Sequence, residues 1–278
     1  MSIELPHQKS LDLSGGPLVM GIVNVTPDSF SDGGRFFDPE AAIAHAAQLA
    51  ADGSDILDVG GESTRPGHTP VVAADEIARV VPVIRGIAER LSTPVSIDTM
   101  KASVAQVAIE AGASIINDVW GFQRDPDIAA VAAAGGALCV LMHNRAHEDA
   151  SLDIIDDVKR FLSVSIEIAL KAGVTARKIV LDPGVGFGKT HEQSLACIAR
   201  LSEIRALGFP VLIGASRKRI IGRITGRDIA AHRMAGTIGA SLAAVARGAA
   251  IVRVHDVAEH VDALRVYRDI EMIGIQRP

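Results

Sequence analysis

The sequence predicts an α/β protein, a single TIM (β/α)₈ barrel whose core is a parallel eight-stranded sheet. Eight short apolar segments, each typical of a strand buried on both faces, alternate with helical patterns along the 278 residues. Hydrophobic residues make up 48% of the chain and aromatic residues only 3%, so Ala, Val, Ile and Leu must fill the core. An open doubly wound sheet is the alternative, but no G-x-G-x-x-G motif follows the first strand and no linker divides the chain.

The elements are placed by their apolar runs and by the turn residues between them. The predicted strands cover residues 18–25, 55–60, 94–98, 114–118, 137–143, 178–182, 211–215 and 250–255. The predicted helices cover residues 39–51, 73–91, 101–112, 126–135, 154–173, a segment ending at 207, a segment beginning near 220, and 235–249. Asp38 and Pro39 suit the N-cap and the first turn of the first helix. Residues 18–278 are predicted to form one domain, preceded by residues 1–17 as a tail or short extension.

Two connections between a strand and the next helix are long. Loop 1 (residues 26–34) and loop 2 (residues 61–70) are rich in Gly and Pro and are too long to be simple connections. Long loops at this end of a barrel strand commonly carry function, so we expect both loops to contribute to a site. Plain disorder is the alternative interpretation.

The composition narrows the range of partners and locations. A net charge of −5 provides no positive field, so we expect no nucleic-acid partner. Residues 1–16 lack the apolar region of a signal peptide, and no uncharged stretch is long enough to span a bilayer. We therefore expect no membrane partner and a cytoplasmic location. Cys139 and Cys197 lie in apolar segments and are predicted to be reduced and buried.

Polar residues recur where the predicted strands end. In a TIM barrel the carboxyl ends of the strands share one face, and that face holds the active site. The residues expected there are Asn24, Ser63, Thr64, Arg65, Asp98, Asn117, Met142, Asp182, Ser216, Lys218, Arg253 and His255. Taken singly, a residue such as Asp98 is more often a cap or a satisfied polar group than a ligand. Because the strands converge on one face, the set as a whole predicts a pocket.

Two kinds of chemistry are combined in this set. One group offers acceptors, donors and a cation, which suit a flat heterocycle rich in amide groups; its members are Asp98, Asn117, Asp182 and Lys218. The other offers neutral donors and cations, which suit a phosphate or diphosphate; its members are Asn24, Ser63, Arg65, Arg253 and His255. A Mg²⁺ ion usually keeps waters beside an oxygen ligand and could accompany the diphosphate. The sequence thus predicts a site for a polar ring attached to a diphosphate leaving group.

Eight short motifs in order resemble those of the dihydropteroate synthase family. They are NVTPDSFSDGG at 24–34, DVGGESTRPG at 58–67, SIDT at 96–99, INDV at 116–119, LDPG at 181–184, GFGK at 186–189, SRK at 216–218 and RVHDV at 253–257. The resemblance implies a TIM-barrel transferase of folate biosynthesis. Such an enzyme joins 6-hydroxymethyl-7,8-dihydropterin diphosphate to p-aminobenzoate and releases 7,8-dihydropteroate and pyrophosphate. It also implies a homodimer, Mg²⁺ as cofactor, and sulfonamides as competitive inhibitors.

The resemblance assigns a role to each matched position. The pterin would be bound by Asp98, Asn117, Met142, Asp182, Phe187, Gly214, Lys218 and Arg253. The diphosphate would be bound by Asn24, Ser63, Arg65, Arg253 and His255, with Asn24 as the metal ligand. The p-aminobenzoate would contact Phe30, Thr64, Pro66, Phe187, Lys218 and Arg219. The catalytic residues would be Asp98, Lys218, Arg253 and His255. Asp98 would stabilise a pterin cation in a dissociative, SN1-like substitution.

One departure and two alternatives accompany this prediction. Arg219 stands where many members have Ser, so a guanidinium or a backbone N–H is expected to meet the aminobenzoate carboxylate. The predicted helix at 235–249 has almost no polar face, and we expect it to form part of a dimer interface. The alternatives are a pterin-dependent methyltransferase-like barrel and a catalytically inert pterin-binding paralogue. The first has no need of diphosphate-binding loops or of Ser216-Arg217-Lys218, and the family residue at every matched functional position argues against the second.

Overall fold

Eight parallel strands form a barrel in the structure, a computed structural model that describes residues 2–26, 38–62 and 70–275. An antiparallel pair precedes the barrel, β1 (Ser2–Glu4) and β2 (Ser10–Asp12). The barrel strands are β3 (Leu18–Asn24), β4 (Ile56–Gly60), β5 (Val95–Asp98), β6 (Ile115–Asp118), β7 (Leu138–Met142), β8 (Ile179–Asp182), β9 (Leu212–Ile213) and β10 (Ile251–Val254). All eight predicted strands are present, and their ends lie within two residues of the predicted ones.

The barrel closes between β8 and β9. The strands are hydrogen-bonded in the order β8-β7-β6-β5-β4-β3-β10-β9, and a parallel bridge pairs Leu181 with Val211 across the remaining gap. The backbone N–H of Leu181 also donates to the carbonyl oxygen of Pro210 at 2.9 Å. The predicted parallel eight-stranded core is confirmed.

Helices surround the barrel as the sequence predicts. They are α1 (Pro39–Ala51), α2 (Ala73–Arg90), α3 (Ala102–Glu110), α4 (Asp127–Gly135), α5 (Ile154–Lys171), α6 (His191–Ala199), α7 (Leu201–Arg205), α8 (Arg219–Thr225), α9 (Met234–Val245) and α10 (Val257–Ile275). The predicted N-cap is confirmed, since Asp38 Oδ1 accepts from the backbone N–H of Glu40 at 2.9 Å. The helix predicted to end at 207 is two helices, because the backbone at Arg200 leaves the helical region. The helix α10 was not predicted from the sequence.

The β1–β2 hairpin covers the amino-terminal end of the barrel. Ile3, Leu5 and Leu11 are buried and pack against the apolar side chains that the barrel strands turn toward this end. The reversal between the strands places His7 and Gln8 at φ of 58° and 57°, the left-handed region. The side chain of His7 also contacts the carbonyl oxygen of Ile109, with 3.0 Å between the two atoms. The amino end of the barrel is thus closed.

Two further expectations concern burial and hydropathy. Cys139 and Cys197 are both buried and unpaired, as predicted. Burial raises the pKa of the Cys139 thiol to about 12 and that of Cys197 to about 11, so both stay protonated. Within residues 2–26, 38–62 and 70–275, no helix combines the length and the apolar character that crossing a membrane requires.

Candidate active site

A guanidinium joins two carboxylates at the carboxyl end of the barrel. Arg253, on β10, donates from Nε to Asp58 Oδ2 at 2.6 Å and from Nη2 to Asp98 Oδ2 at 2.8 Å. Asp58 comes from β4 and Asp98 from the end of β5, so three strands meet in this group. The side chain of Asp58 is fully buried and that of Asp98 is 10% exposed. Such buried, charge-assisted hydrogen bonds fix the orientation of all three side chains.

Asn117 extends this group along the sheet. Its Nδ2 donates to the same Asp58 Oδ2 at 3.1 Å, and the register pairs it directly with Asp98.

Asp58 was not predicted from the sequence as a site residue. The signal was present, because a carboxylate in the middle of the otherwise apolar strand β4 needs partners or a ligand. Its other oxygen, Oδ1, is buried and has no hydrogen-bond partner among the described residues.

The electrostatics of Asp98 are set by opposing groups. Burial is the largest effect and raises the pKa of Asp98 to about 7, while Arg253 acts in the lowering direction. The neighbouring carboxylates of Asp58, Glu76 and Asp118 add to the increase. Asp98 therefore changes its charge near neutral pH, and loses it as the pH falls. A group that titrates at this pH inside a charged cluster is a candidate for function.

A second pair of charges lies on neighbouring strands. Asp182 ends β8, and its Oδ1 accepts from the backbone N–H of Gly184 at 2.8 Å. Lys218 follows β9 and donates to the carbonyl oxygen of Val185 at 2.6 Å. Burial raises the pKa of Asp182 and lowers that of Lys218 to about 8, although each charge favours the other. The lysine remains mostly protonated at neutral pH.

Apolar side chains and a glycine lie next to Asp182 and Lys218. The Lys218 ammonium lies 4.4 Å from the centroid of the Phe187 ring, a cation–π contact. Met142 is buried in a small cluster with Met100 and Val119, against which Phe187 packs. A Cβ on Gly214 would lie 4.0 Å from Asp182 Oδ2 and 3.9 Å from Arg253 Cβ, so Gly214 lies next to both side chains.

The remaining predicted residues lie around this centre or outside the described chain. His255 follows β10, and its ring Nδ1 is 2.9 Å from Ser216 Oγ, which also accepts from the His255 backbone N–H at 3.1 Å. Asn24 is half-buried at the end of β3, and Arg219 is exposed at the start of α8. The predictions for Phe30, Ser63, Thr64, Arg65 and Pro66 fall outside the described residues.

Comparison with known proteins decides the family. Residues 20–255 match the protein family described as pterin binding enzyme. The dihydropteroate synthase of Clostridium beijerinckii is 46% identical over 259 residues, which are 93% of this chain and 96% of that protein. The chain belongs to the dihydropteroate synthase family. It is therefore an enzyme of the transferase class, and the family resemblance read from the sequence is confirmed.

Solved structures of this family share the whole fold. The Xanthomonas albilineans dihydropteroate synthase with 4-aminobenzoic acid superposes with a TM-score of 0.93 at 44% identity, over 100% of both chains. The same enzyme in complex with 7,8-dihydropteroate gives a TM-score of 0.89 at 41% identity, again over 100% of both chains. The barrel described above is thus the fold of dihydropteroate synthases.

Proposed function

We propose that this member of the family condenses 6-hydroxymethyl-7,8-dihydropterin diphosphate with p-aminobenzoate, yielding 7,8-dihydropteroate and pyrophosphate. The observation that carries the proposal is the group formed by Arg253, Asp58, Asp98 and Asn117, which faces the Asp182–Lys218 pair across the barrel mouth. It combines an edge of acceptors and donors for a pterin with cations for a diphosphate.

The pterin is proposed to lie between the two groups. Asn117 and Asp182, buried near the carboxyl ends of β6 and β8 with β7 between them, would bind the amino-pyrimidine edge, and Lys218 would donate to the O4/N5 side. Met142 and Phe187 would contact the ring through apolar surface. Few, fixed polar groups within an otherwise apolar wall give orientation as well as affinity.

The substitution is proposed to be dissociative. The C–O bond to the diphosphate breaks, and the electron pair leaves on the diphosphate oxygen. The methylene cation that remains is delocalised over the electron-rich pterin, and ionised Asp98 stabilises this positive charge. The amine of p-aminobenzoate then forms the C–N bond and releases a proton, so a weak nucleophile is sufficient.

The departing diphosphate is proposed to be held by Arg253 and His255, with Ser63 and Arg65 as further predicted contacts. Arg253 uses Nε and Nη2 for Asp58 and Asp98, and its Nη1 makes no hydrogen bond with the described residues. A planar guanidinium can therefore keep its carboxylate partners and still meet an anion.

The described residues fit a Mg²⁺ ion that is coordinated jointly by the protein and by the phosphates of the substrate. They contain no group of three His, Cys, Asp or Glu that could hold a metal by itself. The donor set at this end of the barrel includes Asn24, a half-buried residue at the end of β3 whose amide oxygen could be the protein ligand. Mg²⁺ is commonly bound in this way, through one protein oxygen, phosphates and waters, and it would supply neutralisation of the leaving group's charge.

The p-aminobenzoate site and the assembly complete the proposal. Phe187 and the stem of Lys218 would flank the aminobenzoate ring together with Phe30, Thr64 and Pro66, and Arg219 would meet its carboxylate. Sulfonamides, which share the aniline and an acidic group, are expected to compete for this place. The helix α9 buries Thr237, Ser241 and Ala244 but leaves much of its small-residue surface partly exposed, which supports the proposal of a homodimer through this helix.

The test is the release of pyrophosphate from the dihydropterin diphosphate in the presence of Mg²⁺. We expect release that increases with p-aminobenzoate and is matched by formation of dihydropteroate. Binding of pterin without release would contradict the proposal and would favour the inert paralogue. Methyl transfer to or from a pterin would favour the methyltransferase-like barrel.

A further inference from the structure

A second charged cluster lies beside Asp98, at the start of loop 2. The Lys101 ammonium makes hydrogen bonds with Glu62 Oε2 and with Glu76 Oε2. Glu62 ends the described segment that follows β4, and its Oε1 accepts from the backbone N–H of Val71 at 3.2 Å. Glu76 belongs to the first turn of α2, and its side chain is only 1% exposed.

Two carboxylates share one ammonium in this cluster. Glu76 Oε1 is buried and has no hydrogen-bond partner among the described residues. An unpaired oxygen on a buried carboxylate is costly, and in native proteins it calls for an explanation.

A small cavity connects Glu76 with the active site. Its volume is about 10 Å³, and it is lined by Glu62, Glu76, Asp98, Thr99, Met100 and Val119. This is close to the space of one water molecule and too small for bulk solvent. Charges that face each other across such a space are weakly screened.

We propose that Glu76 is a positioning residue for Asp98, that it acts across this cavity, and that Lys101 and Glu62 hold its carboxylate in place. Its role is to set the pH at which Asp98 is ionised and able to stabilise a pterin cation. The proposal deepens the proposed function, since it rests on Asp98 acting on that cation.

The other charged groups around Asp98 act differently. Arg253 on β10 favours ionisation of Asp98, whereas Asp58 on β4 and Asp118 on β6 oppose it. Lys218, after β9, also interacts with Asp98. Arg253 and Asp58 are part of the hydrogen-bonded group that faces the substrate. Glu76 makes no hydrogen bond to that group, so its charge can be removed while the group is kept.

The experiment measures the titration of Asp98 in the full chain without substrate. Aspartate labelled with ¹³C at Cγ gives one resonance per residue, and the Asp98→Asn spectrum identifies the resonance of Asp98. We compare the wild type with Glu76→Gln, which keeps the size of the side chain and removes its charge. The matched control is Asp55→Asn, a half-buried carboxylate at the opposite end of the barrel that accepts from the backbone N–H of Val19 at 2.8 Å.

We expect Glu76→Gln to lower the titration midpoint of Asp98 by about one pH unit, because a buried negative charge is lost while the positive charge of Lys101 remains. Asp55→Asn should leave the midpoint unchanged. An unchanged or higher midpoint in folded Glu76→Gln would overturn the proposal. If Glu76→Gln does not fold, Glu62→Gln decides in its place, because Glu62 lines the same cavity and a smaller decrease in the same direction is expected.

A kinetic measurement separates this proposal from the proposed function. In Glu76→Gln the acid limb of kcat/KM should move to lower pH by the same amount as the midpoint, with kcat above pH 8 nearly unchanged. A merely structural role would lower kcat at every pH without moving the limb. Absence of pyrophosphate release in the wild type would refute the proposed function, whereas the titration would still decide whether Glu76 acts on Asp98.

Discussion

Lys189 is expected to hold the loop between β8 and α6 in place, and replacing this lysine tests the expectation directly. Lys189 is 3% exposed, and its ammonium donates to the carbonyl oxygens of Gly184 and Phe187 at 2.9 and 3.0 Å. It also lies 2.7 Å from Nδ1 of His143, whose pKa burial and the lysine charge lower to about 3. The neutral imidazole therefore accepts from Lys189 at Nδ1.

The size of the effect follows from these contacts. Three charge-assisted hydrogen bonds stabilise the folded state by roughly 1.5–3 kcal/mol each. Burial opposes them, because it lowers the pKa of Lys189 to about 8. A shift of this size corresponds to a cost of about 3 kcal/mol for the charged form. We expect Lys189→Met to lose about 3 kcal/mol of unfolding free energy, because three acceptors are left unpaired.

The assay is urea denaturation at pH 7, with Lys178→Met as the matched control. Lys178 is half-buried and donates to a single acceptor, the carbonyl oxygen of Gly136 at 2.5 Å, so its loss should cost about 1 kcal/mol or less. The loop held by Lys189 also carries Phe187 and Val185, so KM for the pterin should rise in Lys189→Met. Equal losses in the two variants, or an unchanged KM, would refute this reasoning.

Four further predictions concern the site and its backbone. Asp98→Asn should lower kcat by roughly 10²–10³ and change pterin affinity much less, and an equal loss in both would contradict its role. The wild-type kcat/KM should fall as the pH decreases through about 7, because Asp98 takes up a proton, and the profile of Asp98→Asn should lack this step. Phe187→Leu should raise KM several-fold in steady-state kinetics, since about 1 kcal/mol of cation–π and stacking interaction is lost. Gly184→Ala should unfold more readily by thermal denaturation than Gly208→Ala, because its Cβ would lie 2.0 Å from the His143 carbonyl oxygen whereas Gly208 has open space, and both residues have positive φ.

The barrel could be predicted because its strands are buried on both faces. Each strand is a short apolar run, and several end in or are followed by polar residues, so both the strands and the side of the barrel that holds the site can be predicted from local sequence. The break at Arg200 and the helix α10 were not predicted. In α10 only a few positions, among them Val257, His260 and Leu264, are buried, so its apolar face gives a weak pattern.

The candidate site was predictable where a residue lies near or just after the carboxyl end of a strand. Asp98, Asn117 and Asp182 satisfy that rule, and the structure brings them to one face. Asp58 lies within its strand, and its role depends on Arg253, which is 195 positions away in the chain. The contacts of Lys101 with Glu62 and Glu76 likewise join three separate elements, and no local spacing signals such a group.

The hairpin closes the amino end of the barrel, so among the described residues the carboxyl end is the open end. In the proposed reaction, substrates would enter and pyrophosphate would leave at the carboxyl end, where the site residues lie. The first described residues belong to β1 of this hairpin, at the end of the barrel opposite the site. Tethering the enzyme to a solid support through this end should therefore leave the carboxyl end of the barrel facing solution. Surface-based binding measurements with both substrates would then be practicable.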